Sequence, residues 1–146
     1  MNSLILRKAD LDDSEFAYQT KKAAFKEYVE RVYDWNEDEQ RQLHAQRFKE
    51  QDIRVINLDN TDVGVIAIAA APDYVKVNQL FILPEHQSKG IGQKCMAAIM
   101  KEANQLGLPI SLRVMKVNPR AFSFYERLGF ACCGETETHH LMEWHG

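Results

Sequence analysis

The chain has 146 residues, enough for one domain around a single core. Hydrophobic residues make up 45% and charged residues 27%, the balance of a soluble globular protein, and no apolar run reaches the length of a membrane span. A formal charge of −3 gives no bulk attraction to nucleic acid or to an anionic membrane surface. Cys95, Cys132 and Cys133 are an odd count with an adjacent pair, which argues against a disulfide framework, and there is no Cys-x-x-Cys pair. Free thiols fit a reducing cytoplasm, and no metal is expected. Met1 to Asp10 lacks the apolar stretch of a signal peptide.

Leu4 to Arg7 reads as a strand, ended by Asp10-Leu11-Asp12-Asp13. Asp13 or Ser14 caps a helix from Glu15 to Val32, with Phe25, Val29 and Val32 on a core-facing side. Asn36 with Glu39 reads as a capping box opening a mostly polar surface helix, Glu37 to Lys49. Ile53 to Leu58, Val63 to Ala71 and Tyr74 to Leu83 read as strands joined by the turns Asp59-Asn60-Thr61-Asp62 and Pro72-Asp73, an antiparallel meander. A helix from Gln93 to Leu106 carries the stripe Ile91, Cys95, Ala98 and Ile99 and stops at Gly107. The strand Pro109 to Val114 follows a helical crossover and should run parallel to the strand before it. Asn118-Pro119 opens a last helix, closed by Gly129. Phe130 to Glu135 and His140 to Trp144 close the chain as two strands. The fold class expected is one α/β domain with a mixed, mostly antiparallel sheet.

The stretch with chemistry in it is Gln87-Ser88-Lys89-Gly90-Ile91-Gly92, at a strand-to-helix corner. Glycines leave the backbone bare, and a helix start offers unpaired N–H groups and partial positive charge. An anion cradle for phosphate or pyrophosphate is one reading, and a tight turn the other. The spacing fits neither the P-loop nor the dinucleotide fingerprint, where Cys95 stands for the third glycine.

Leu80-Phe81-Ile82-Leu83-Pro84 followed by Gln87-x-x-Gly90-x-Gly92 and a helix resembles the acetyl-coenzyme A signature of the GNAT superfamily of N-acetyltransferases. Asn118-Pro119-Arg120-Ala121-x-x-Phe124-Tyr125-Glu126-Arg127-Leu128-Gly129-Phe130 resembles the second signature of that superfamily, and the order of elements matches along nearly the whole chain. The resemblance implies a GNAT-like sheet of six to seven strands flanked by about four helices, in one N-acetyltransferase domain over 1–146. It implies acetyl-CoA as co-substrate in a sheet that splays after the strand ending at Ile82. Residues Gln87, Ser88, Lys89, Gly90, Ile91 and Gly92 would hold the pyrophosphate. Leu80, Phe81 and Ile82 would line the pantetheine arm with Asn118, and Tyr125 would sit near the sulfur as general acid.

Acetyl transfer to a primary amine needs the amine neutral, which at pH 7 costs roughly 4–5 kcal/mol for an ordinary alkyl ammonium. It needs a fixed donor for the developing oxyanion, typically worth about 3–4 kcal/mol, for which the Ile82 N–H is the candidate. It also gains from a proton donor to the leaving thiolate, for which Tyr125 is the candidate, although without the motif a packed aromatic would be the plainer reading of that residue. Some superfamily members carry a Glu on the strand before the loop; Lys76 occupies that position here, so water-mediated proton loss is expected, with Asn78 able to orient a water. Tyr28, Glu30 and Trp35, near Tyr33 and Glu39, suggest an acidic and aromatic site for a cationic amine, or else a solvated helix pair. His139, His140 and His145 read as tail histidines, and Arg120 reads as either a phosphate contact or a solvated cation. The acceptor class is a small-molecule or peptide amine. A homodimer through the C-terminal strands is an analogy, and a non-catalytic acetyl-CoA-binding module is the alternative to an enzyme.

Overall fold

A run of β-branched and small residues sets the middle of the sheet. In the computed structural model, which describes residues 3–146, Thr61–Ala70 forms β3, and Val63, Val65, Ile66, Ala67 and Ile68 are all buried. A strand covered on both faces carries apolar residues at successive positions, which removes the usual alternation. Asp52–Leu58 (β2) and Val75–Ile82 (β4) flank it, both antiparallel. The β2–β3 turn holds Asp59 and Asn60 at φ 50° and 68°, the backbone of a tight hairpin. Leu4–Lys8 (β1) pairs with β2 at one edge. Ile110–Met115 (β5) runs parallel to β4; His139–Trp144 (β7) pairs with β5, and Ala131–Glu135 (β6) forms the far edge. The order is β1-β2-β3-β4-β5-β7-β6, seven strands with one parallel pair.

Helices cover both faces. Ser14–Glu30 (α1) and Glu37–Glu50 (α2) place Ala17, Phe25 and Phe48 against Val55, Val65 and Phe81. Ile91–Leu106 (α3) buries Ile91, Cys95, Met96 and Ile99 against Ile56, Ile66 and Met142 on the opposite face. Pro119–Arg127 (α4) joins that face through Phe122, Phe124 and Tyr125. Element order and helix count agree with the expectation; the boundaries move by one or two residues. α3 starts at Ile91 rather than Gln93, because Gly90 ends the loop in one left-handed step at φ 80°. α1 stops at Glu30 rather than Val32. Among the described residues no helix is long and apolar enough to cross a membrane.

One irregularity decides where a ligand can go. Ala67 faces Gln79 while Ile68 faces Val77, so Asn78 is an extra residue on β4. Such a bulge bends its strand and sharpens the local twist. β4 and β5 pair only over Val75–Val77 and Ile110–Leu112. From Asn78 onward the two strands part.

Candidate active site

The gap between β4 and β5 exposes backbone. The Leu83 N–H donates to the Val63 carbonyl at 2.9 Å, which fixes the alternation of this antiparallel pair. Positions facing each other as 63/83, 65/81 and 67/79 exchange hydrogen bonds with β3. The Leu80 and Ile82 N–H groups therefore turn to the other edge, where β5 no longer pairs with them. An extended ligand inserted there meets unpaired amides, as a further strand would. The Phe81 ring points the other way and packs on Phe25 at 5.1 Å between centroids, so Phe81 meets the gap only through its main chain.

Past Ile82, a single 3-10 turn at Pro84–His86 leads into the glycine corner. Ser88 stands at φ 62° and Gly90 at φ 80°, two left-handed residues one apart. That alternation gathers neighbouring N–H groups into a concave nest, an anion-binding shape with the α3 dipole behind it. A Cβ at Gly90 would meet no atom within 4 Å, so its requirement is conformational. Gly92 is different: its Cβ would lie 3.3 Å from the Phe124 ring, so it is the contact between α3 and α4. The Gln87 side chain donates to the Ile82 carbonyl at 2.9 Å and ties the loop to the end of β4.

α4 brings three side chains to the opening. Asn118 caps the helix, its Oδ1 accepting from the Ala121 N–H at 3.1 Å. Arg120 donates to the Ser88 hydroxyl, so its guanidinium stands at the nest. Tyr125 packs edge-on against Phe124 and Phe130, and its hydroxyl has no partner among the described residues. Burial pushes the Tyr125 phenol well above its ordinary value, so it keeps its proton at every working pH.

These parts line one cavity of about 810 Å³ that runs through the splayed sheet. At one end lie the nest, Arg120 and Tyr125; at the other lie Lys21, Phe25 and Tyr28 of α1, Arg47 and Gln51 of α2, and Lys76 and Asn78 of β4. Leu80, Ile82, Gln87, Ser88, Gly90, Ile91, Gly92 and Asn118 from the sequence reading all reach it. Lys89, Glu30 and Trp35 do not line it. Lys89 and Glu30 are exposed, and the Trp35 indole donates to Glu37 at 2.9 Å on the outer side of the helix pair. Among the described residues, no Asp or Glu lines the cavity. Of the residues expected at the acceptor site, Tyr28 and Asn78 line the cavity, while Glu30 and Trp35 do not, and cations stand beside Tyr28.

Two residues passed over in the sequence hold that space. Lys21 is 4% exposed, and burial with the nearby Arg47 charge pulls its ammonium down to about 8. Burial also pulls Arg47 downward. The signal in the sequence was the neighbouring pair Lys21-Lys22, of which only Lys22 finds a carboxylate, Glu37 at 3.2 Å. His139, read as a tail residue, lines the cavity beside Arg113; burial and that charge hold it below the usual imidazole value.

A model of the acetyltransferase (GNAT) family matches residues 15–130. No curated protein sequence matches the chain. Among solved structures, the PaiA N-acetyltransferase of Thermoplasma acidophilum in complex with coenzyme A superposes with a TM-score of 0.81 at 19% identity, over 99% of each chain. An acetyltransferase of Thermus thermophilus gives 0.82 at 15% identity, over 99% of this chain and 97% of that one. The spermidine/spermine N-acetyltransferase of Vibrio cholerae gives 0.73 at 20% identity, over 97% of this chain and 93% of that one. Likeness at such identities attaches to the fold.

Proposed function

The chain belongs to the GNAT acetyltransferase family, and from that premise we propose that it is an acetyl-CoA-dependent N-acetyltransferase acting on a primary amine by direct attack. The observation that carries the reading is the opened β4 edge, with the Leu80 and Ile82 amides facing a gap that ends at the Ser88–Gly90 nest. A pantetheine arm fits beside those amides, and the diphosphate fits the nest with Arg120 alongside. The coenzyme A bound to the Thermoplasma relative supports the same co-substrate here.

Two of the three steps then have a residue of their own. The Ile82 N–H donates to the acetyl oxygen as negative charge builds on it, which accelerates attack by two to three orders of magnitude, roughly 3–4 kcal/mol. Asn118, held as the α4 cap, borders the pantetheine arm. Tyr125 donates its proton to the departing thiolate; its burial keeps that proton in place until the thiolate forms. No carboxylate lines the cavity to act as base, so the amine loses its proton through water, and Lys21, Arg47 and Lys76 disfavour the ammonium form by like charge.

The test is thiol release from acetyl-CoA with a panel of primary amines. Release that depends on the amine, together with a kcat drop on the order of 10²-fold in Tyr125→Phe at unchanged coenzyme affinity, is the expected result. Coenzyme binding with no amine-dependent release would instead favour a sensor or interaction module.

A further inference from the structure

A buried ammonium with no counter-ion is an expensive feature. Lys21 and Arg47 come from different helices, and neither makes an ion pair or a side-chain hydrogen bond among the described residues. They lie close enough for the Arg47 charge to act on Lys21, and both line the cavity, as Lys76 does. Gln51 lines it too, and its Oε1 is buried without a partner. Arg7 pairs with Asp13 and Asp62, Arg54 with Asp52 and Glu102, and Arg41 with Glu15. Lysines without a carboxylate, such as Lys49, Lys89 and Lys94, are exposed to water, whereas Lys21 is buried.

We infer that the acceptor is a small amine that itself carries an oxyanion, a carboxylate or a phosphate group, seated between Lys21 and Arg47. The inference rests on the acetyltransferase reading and names the acceptor class for that site. An oxyanion there supplies the missing counter-charge, and Arg47 presents the forked donors that carboxylates and phosphates match. Lys21 is too deep for a folded protein surface to reach, which selects a small molecule. A polyamine would bring positive charge to a site that has no carboxylate to receive it.

Calorimetric binding to the coenzyme A-loaded protein tests this without requiring turnover. The probes are glycine, 4-aminobutyrate and 2-aminoethylphosphonate, with glycinamide, which lacks the oxyanion, and spermidine, a polycation, as controls. At least tenfold tighter binding of an oxyanion-bearing probe than of glycinamide is expected, and the carboxylate and phosphonate arms distinguish the two oxyanions. Lys21→Met and Arg47→Met should each weaken that probe tenfold or more while coenzyme affinity moves less than twofold. Lys21→Met removes an uncompensated buried charge, so folding is not at risk; Lys21→Gln is the second variant. Equal binding of glycinamide, preference for spermidine, or a loss of coenzyme affinity in the Lys21 variants would overturn the inference. Anion-selective binding with no acetylation of any probe would leave this site intact and sink the enzyme reading instead.

Discussion

Lys21 is where a single side chain has measurable consequences for the whole protein. Its ammonium is lowered from 10.5 to about 8 by burial and by Arg47, so the folded state releases its proton before the unfolded state does. Between those two values the unfolded chain binds more protons, and stability therefore rises with pH across that window. Below about 8 the full penalty applies, up to about 3 kcal/mol for a shift of this size. Urea unfolding of Lys21→Met should show a higher midpoint than the parent at pH 7, and the gap should close as pH approaches 10. A variant no more stable at pH 7 would mean the ammonium is better solvated than its burial indicates. Cys95 makes the opposite case. It is fully buried on α3, and desolvation pushes its thiol up to about 12. Iodoacetamide on the folded protein should therefore label the exposed Cys132 and Cys133 and spare Cys95, as peptide mass spectrometry would show.

β4 carries the argument at the level of elements, because one extra residue separates a paired sheet from a binding gap. Deleting Asn78 restores regular alternation along β4 without turning Leu80 or Ile82 to the other face. The straightened strand can then pair with β5 beyond Leu112, closing the edge that a ligand needs. The deletion should leave a cooperative thermal transition and abolish the shift in Tm that coenzyme A gives the parent; a retained shift would show that the splay has another origin. The corner after β4 was legible in the sequence because everything that makes it is local. A left-handed step needs glycine at residue 90, the helix start follows at once, and Asn118-Pro119 signals the next helix in the same way. The bulge was not legible, since Lys76, Asn78 and Leu80 read as one unbroken alternation. Nor was the acceptor end. Glu30 and Trp35 shared a stretch with Tyr28, yet Glu30 lies exposed at the end of α1 and Trp35 falls in the connection after it, its indole held by Glu37, while Tyr28 lines the cavity. Lys21 and Arg47 meet only because α1 and α2 pack side by side across 26 residues of sequence, a distance no local pattern spans.

Across the whole molecule, net charge proves a poor guide to the site. The total is −3, and the acidic and aromatic residues Tyr28, Glu30 and Trp35 suggested a cationic acceptor. The structure sorts its charges instead: Glu15, Glu27, Glu37 and Glu102 lie on outer surfaces paired to Arg41, Arg31, Lys22 and Arg54. Lys21, Arg47, Lys76, Arg113, Arg120 and Arg127 line the cavity with no carboxylate among them. An acidic protein thus encloses a cationic channel from the phosphate nest to the acceptor end, and low-dielectric walls focus that field on anions entering it. Coenzyme affinity should accordingly weaken several-fold as NaCl rises from about 0.05 to 0.5 M, where the screening length shortens from above 10 Å to a few ångströms. Arg120→Gln should flatten that salt dependence, because its guanidinium is the cation placed against the nest at Ser88. An affinity indifferent to salt in the parent would mean that the backbone amides alone hold the diphosphate, and that the cations lining the cavity serve the acceptor only.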